Sequence, residues 1–222
     1  MPAKNCLKQY LTNGYYHLYN RGVEKRKIFQ EEIDYKVFLS YLKEYLNPKQ
    51  IDKLRLLIEK TRYDQRDKLF KTIQMNNYAN KIKLLAYCLM PNHFHLLVQQ
   101  KNERGIEEFM RSLGTRYVMY FNKKYKRTGG LFQGRYKAVL VRTDEQLWHL
   151  SRYIHSNPPY KGLTLLEYPY SSLGAYLGEW KAAWLKTNPI LSHFSPKSSY
   201  KAFFEGILQK EDDEIVEKLK IE

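Results

Sequence analysis

Two apolar runs, KIKLLAYCLM (81–90) and HFHLLVQQ (93–100), are separated only by Pro91 and Asn92. Two residues leave no room for a crossover, so the runs are expected to pair as an antiparallel hairpin. Upstream, YYHLYNRG (15–22) is aromatic, alternates in polarity and ends at Asn-Arg-Gly, which predicts a strand and a turn. EEIDYKVFLSYLKEYLNP then opens with acids, spaces its apolar residues at helical intervals and stops at a proline, as a helix does.

Downstream of the hairpin the period changes. Ile106, Phe109, Met110, Leu113, Tyr117, Tyr120 and Phe121 fall on one helical stripe, which predicts a core-facing helix. KRTGGLFQGR is a glycine-broken basic loop, KAVLVR (137–142) a strand, and DEQLWHLSRYIHSNPP a helix that starts on acids and ends at prolines. The first six elements follow a βαββαβ order, so the expected class is α+β, ferredoxin-like, an antiparallel sheet with helices on one face and one further helix after it. A single domain is expected over 1–222, with a core at about 13–175, a charged helical insertion at about 47–80 and a C-terminal extension at about 176–222.

Charge narrows the function. Lys and Arg number 38 against 23 Asp and Glu, a net charge of +15 that favours a polyanionic partner, nucleic acid before a membrane surface. No carboxylate occurs between Glu108 and Asp144, whereas Arg111, Arg116, Lys123, Lys124, Lys126, Arg127, Arg135, Lys137 and Arg142 all lie in that interval. Those nine are the candidate DNA-binding residues, with Tyr120, Phe121, Tyr125, Phe132 and Tyr136 interleaved as stacking surfaces; a plain solvated basic face is the alternative. The acids gather instead in KEDDEIVEKLKIE at the C-terminal end. Cys6 and Cys88 have no metal-ligand spacing and point to reduced thiols. MPAKNCLKQYL lacks an apolar core for secretion and LLAYCLM is too short to cross a bilayer, so a cytoplasmic protein without membrane contact is expected.

The second strand of the hairpin carries the chemistry. On a strand, His93 and His95 project to one face while Phe94 turns to the other, a geometry suited to gripping one metal ion. Two histidines are an incomplete site, and ordinary surface or core histidines fit the pattern equally. In SRYIHSNPP, Tyr153 and Asn157 stand four residues apart and share one helix face. They too have plain readings: a boundary tyrosine packing its ring, and an asparagine capping the helix before Pro158. Tyr117 and Tyr120 are rival nucleophiles, but their place in the apolar stripe predicts burial. His155 points elsewhere on its helix, and His17 in the first strand has no assigned role.

Taken in order, MPNHFHLLV, YFNKKYKRTGGLFQGRYKAVLV and SRYIHSNP resemble the successive signatures of the single-tyrosine HUH (histidine, hydrophobic residue, histidine) transposases, the IS200-like family, and in particular their REP-associated branch. With YNRG of the first strand the resemblance spans residues 13–175. It implies that His93, His95 and Asn157 bind a divalent ion, Mg²⁺ or Mn²⁺, and that Tyr153 is the nucleophile. The implied activity cleaves and rejoins single-stranded, hairpin-associated DNA through a 5′-phosphotyrosine, by a monomer or homodimer. A replication-initiator or relaxase-like nickase and a non-catalytic DNA-binding protein are the competing readings.

Overall fold

The computed structural model describes residues 10–158, 165–194 and 198–206. Four strands, β1 (Tyr15–Arg21), β2 (Ile82–Met90), β3 (His93–Gln100) and β4 (Lys137–Val141), form one antiparallel sheet in the order β2-β3-β1-β4. This is the order expected of the βαββαβ arrangement. The tight turn at Pro91-Asn92 sets Met90 opposite His93 and Cys88 opposite His95. Its backbone is then used twice more: the Pro91 carbonyl accepts from the amides of Ile28 (2.8 Å) and Phe29 (3.0 Å), and the Asn92 carbonyl from Gly22 (2.8 Å). The turn is thus tied to the chain that leaves β1.

Period-two alternation divides the sheet residues between two cores. Tyr16, Leu18, Leu84, Phe94, Leu96 and Val98 are buried against helices α1 (Glu32–Leu46) and α4 (Gly105–Lys124). Leu85, Cys88, Leu97 and Val141 are buried on the other face, against α5 (Asp144–His155) and the C-terminal segments. Helix α1 begins with a capping box between Glu31 and Asp34. Asp34 is fully buried, yet its carboxylate accepts from Lys124 Nζ (2.7 Å) and from the Tyr120 (2.8 Å) and Tyr125 (2.6 Å) hydroxyls. Burial would raise its pKa, but these donors and the amides of Gln30 and Glu31 outweigh it and hold the group at about 2. One carboxylate therefore pins the end of α4 to the start of α1.

Residues 47–80 contain α2 (Ile51–Lys60), a short 3₁₀ turn and α3 (Arg66–Gln74). The ends of this segment are held by Lys49 Nζ, which donates to the Ile73 carbonyl (3.0 Å) and also to those of Thr72 and Met75, and by Asn77 Nδ2 on the Asn47 carbonyl (2.8 Å). After α5 come α6 (Leu173–Leu177), α7 (Asn188–Leu191) and α8 (Ser198–Glu205). The acidic stretch 210–222 and Cys6 lie outside the described residues. Among the described residues, no helix is long and apolar enough to cross a membrane.

Candidate functional site

The site lies on the α5 face of the sheet. β1 and β3 are neighbours, with Arg21 opposite His93 and Tyr19 opposite His95, so alternation gives His17, Tyr19, His93 and His95 a common face. His17 and Tyr19 were legible in YYHLYNRG by the same alternation that selected the two strand histidines, once β1 and β3 are paired. The His93 and His95 rings meet edge to face at 4.9 Å. His17 Nε2 is 2.8 Å from His95 Nδ1. His95 is 6% exposed, and its Nε2 is buried without a partner among the described residues; so is the Tyr19 hydroxyl.

Helix α5 brings the remaining pair. It forms here because Thr143 Oγ1 caps the amide of Gln146 (3.1 Å), whose own side-chain oxygen accepts from the Arg142 amide (2.9 Å), and because acids occupy the first turn. Leu147, Leu150 and Ile154 bury its apolar stripe, which leaves Tyr153 at the edge of the packed face, half-buried. The Tyr153 ring stands 5.7 Å from His95 and 6.3 Å from His17, centroid to centroid. Asn157 Nδ2 donates to the Tyr153 carbonyl (2.8 Å), and the same side chain lies beside His93 and works to raise its pKa. Asn157 is therefore a helix cap that also reaches the histidine strand.

Electrostatics keep the imidazoles neutral. Burial, and then the Arg21 guanidinium, lower the His93 pKa to about 4, although the Asn157 contact works the other way. His95 is held well below the ordinary histidine range by burial first, and then by His17, His93 and Arg21. Two neutral imidazoles near neutral pH meet the first requirement of a metal ligand. The His95 Nε2, buried with no hydrogen-bond partner among the described residues, is the atom that could supply the second, a lone pair free for an ion. Among the described residues no three His, Cys, Asp or Glu side chains stand together as an ion-binding group. A cation here would accordingly depend on His93, His95 and the Asn157 amide, with oxygens from outside the chain filling its other positions.

The other candidates separate by environment. Tyr117 is fully buried and donates to the Ile28 carbonyl (2.6 Å), and burial pushes its pKa far up. Burial, and then the Asp34 carboxylate, push Tyr120 up to about 12. His155 is buried in a polar network: Nδ1 meets the Tyr200 hydroxyl (2.9 Å), Nε2 meets Ser172 Oγ (2.8 Å), and burial lowers its pKa to about 3. Arg152 donates to the Phe203 carbonyl (3.0 Å) and lies 4.4 Å over that ring. Helix α5 is thus clamped by α8, an element outside the sequence motifs.

The basic interval is divided. Arg111, Lys123, Lys126, Arg135, Lys137 and Arg142 are exposed, and Lys137 Nζ reaches to 5.6 Å from the Tyr19 ring on the site face. Arg116 is bonded to Glu44 (2.6 Å) and stacked 3.8 Å over Tyr41, Lys124 is committed to Asp34 and Glu31, and Arg127 lies against Phe121. Phe121, expected among the stacking surfaces, is instead fully buried, and Tyr125 spends its hydroxyl on Asp34.

With this geometry established, comparison with known proteins identifies the part of the chain that holds it. The family described as "Transposase IS200 like" matches residues 55–157. This segment is similar to the IS200-like transposases. The IS200-like segment begins within α2 and ends at Asn157, so it contains both histidines, the tyrosine and the asparagine. Over 101 residues the chain is 33% identical to the "Putative REP-associated tyrosine transposase" of Haemophilus influenzae, an alignment covering 40% of this chain and 57% of that protein's length. A solved structure of a REP-associated tyrosine transposase bound to a REP hairpin superimposes with a TM-score of 0.49 and 11% identity, covering 82% of this chain and 94% of that one.

Proposed function

We propose that the chain is a DNA strand transferase that cuts and rejoins single-stranded, hairpin-associated DNA, with Tyr153 as the nucleophile. The observation that carries the reading is the convergence of four residues from two distant elements. Tyr153 packs 5.7 Å from His95, and Asn157 caps the Tyr153 turn and lies beside His93. The IS200-like match over the same residues and the name of the Haemophilus relative support it.

His93 and His95, neutral and fixed on one strand face, and Asn157 would hold Mg²⁺ or Mn²⁺. When bound, the ion supplies positive charge against the non-bridging oxygens of the scissile phosphate. Tyr153 then needs only access and alignment. Its oxygen bonds to phosphorus as the bond to the 3′ oxygen breaks, the phenolic proton is lost and the departing 3′ oxygen gains one. The products are a 5′-phosphotyrosine and a free 3′-hydroxyl. Because the link retains a phosphodiester, a DNA 3′-hydroxyl can later attack it and displace the tyrosine, rejoining strands without ATP. Arg111, Lys123, Lys126, Arg135, Lys137 and Arg142, the exposed part of the basic interval, would track the DNA backbone.

The test is adduct formation. A labelled single strand carrying a hairpin, incubated with Mn²⁺, should yield a denaturant-resistant protein-DNA adduct on the 5′ phosphate, absent in Tyr153→Phe and in His93→Ala. An adduct that survives Tyr153→Phe removes this nucleophile. Binding without any adduct across a permissive set of hairpins favours a non-catalytic DNA-binding protein.

A further inference from the structure

His17 has no place in the proposed chemistry, yet it is 1% exposed and touches the site. It sits on β1 opposite Leu97, which makes His95 its diagonal neighbour, and the two rings stack at 5.0 Å with planes 23° apart. The contact between them is the 2.8 Å approach of His17 Nε2 to His95 Nδ1. Such a contact has only two forms, because one nitrogen must carry the proton and the other must accept it.

The forms differ in what they leave on His95 Nε2. If His95 donates, its proton is on Nδ1 and its buried Nε2 presents a lone pair. If His17 donates, His95 carries its proton on Nε2, an N–H is buried without an acceptor, and no cation can be ligated there. His93 has no such ambiguity. Its Nδ1 lies 2.6 Å from Asn92 Oδ1, and the Asn92 amide nitrogen is directed to the Lys25 carbonyl at 3.4 Å. An amide oxygen can only accept, so the His93 proton is on Nδ1 and its Nε2 is left as the donor atom.

We propose that His17 is a positioning residue, accepting the Nδ1 proton of His95 and thereby holding its Nε2 as a metal-donor atom matched to that of His93. The inference rests on the reading of His93 and His95 as ligands of a divalent ion. It assigns to a buried histidine the part that carboxylates or backbone carbonyls take behind most metal-bound histidines.

The full chain labelled with ¹⁵N gives a readout that needs neither metal nor DNA. Long-range proton-nitrogen spectra at neutral pH should show His95 with a protonated Nδ1 and an unprotonated Nε2. His17→Gln, whose side-chain oxygen accepts, should preserve that form; His17→Phe, which cannot accept, should move the proton wholly or partly to Nε2. Mn²⁺ titration followed by electron paramagnetic resonance should find affinity about 10- to 100-fold weaker in His17→Phe, with most of it restored in His17→Gln. Finding His95 protonated on Nε2 in the unmodified protein overturns the proposal. So does a folded His17→Phe that keeps both the tautomer and the Mn²⁺ affinity. Should His17→Phe not fold, the unmodified protein and His17→Gln decide the matter. Mn²⁺ uptake that is indifferent to His93→Ala and His95→Ala would remove the metal reading instead, and the spectra would still decide what His17 does.

Discussion

Helices α4 and α5 cover opposite faces of the same sheet, and both present tyrosines to it, with opposite consequences. On α4 the hydroxyls are spent: Tyr117 on the Ile28 carbonyl, Tyr120 on the Asp34 carboxylate. On α5 the Tyr153 hydroxyl takes no hydrogen bond from the described residues, and its ring edges onto two histidines. What separates the two faces is access and company. α4 stitches the helical layer together, while α5 leaves one tyrosine at a boundary beside buried imidazoles.

The sharpest way to break this contrast is to exchange the two phenols for phenylalanine. Tyr153→Phe should abolish the covalent adduct while leaving thermal stability nearly unchanged. Tyr117→Phe should keep the adduct and cost about 1 kcal/mol, the net worth of one buried hydrogen bond. Adduct retention or loss in the reverse pattern would assign the chemistry to the wrong face. Next in size is the anchor of α4. Asp34→Ala strands Lys124 and two tyrosine hydroxyls and should destabilise by about 3 kcal/mol in denaturant unfolding, with adduct formation intact well below the melting temperature.

The faces should also respond differently to acid. His155 and His93, with pKa values lowered to about 3 and about 4, stay neutral in the fold while the unfolded chain takes up protons below about pH 6.5. Stability therefore falls as pH drops through that window, by about 1 kcal/mol per pH unit for each such group. Asp34, held at about 2, contributes stability that is complete above the ordinary carboxyl range and is lost only as pH falls from about 4 toward 2. Hydrogen exchange at pH 5 should show α5 loosening while the α1-α4 contact stays protected; uniform loosening would erase the distinction. The smallest effect concerns DNA. Arg111→Ala should reduce the slope of log affinity against log salt by about 0.7 for single strands. Arg116→Ala, already paired with Glu44 and stacked on Tyr41, should leave that slope alone.

How much of this was legible in the sequence follows from which interactions are local. A two-residue turn between apolar runs, and a switch from period two to period 3.6, are written along the chain, so the sheet and the α4 and α5 helices could be read directly. The i, i+2 and i, i+4 spacings of His93 with His95 and of Tyr153 with Asn157 were legible for the same reason. Partnerships across the fold were not. Asp34 reads as an acid in the first turn of a helix, and nothing nearby announces Lys124, Tyr120 and Tyr125, some ninety residues on. Arg116 and Lys124 read as part of a basic run because a run of charge does not record which members already have counterions. The clamp on His155 comes from Tyr200, beyond any motif, and the pairing of His17 with His95 appears only once β1 lies beside β3.

The alternation of β3 also constrains how such a gene can change. His93 and His95 face α5, while Phe94 and Leu96 fill the opposite core. A codon gained or lost between them would turn every later side chain of the strand over, sending a histidine into the aromatic core and a leucine to the α5 face. Point substitutions along β3 can drift by degrees, but changes of length there cannot. Descendants of this chain should therefore vary in length almost anywhere, the 47–80 segment included, before they vary within HFHLLV.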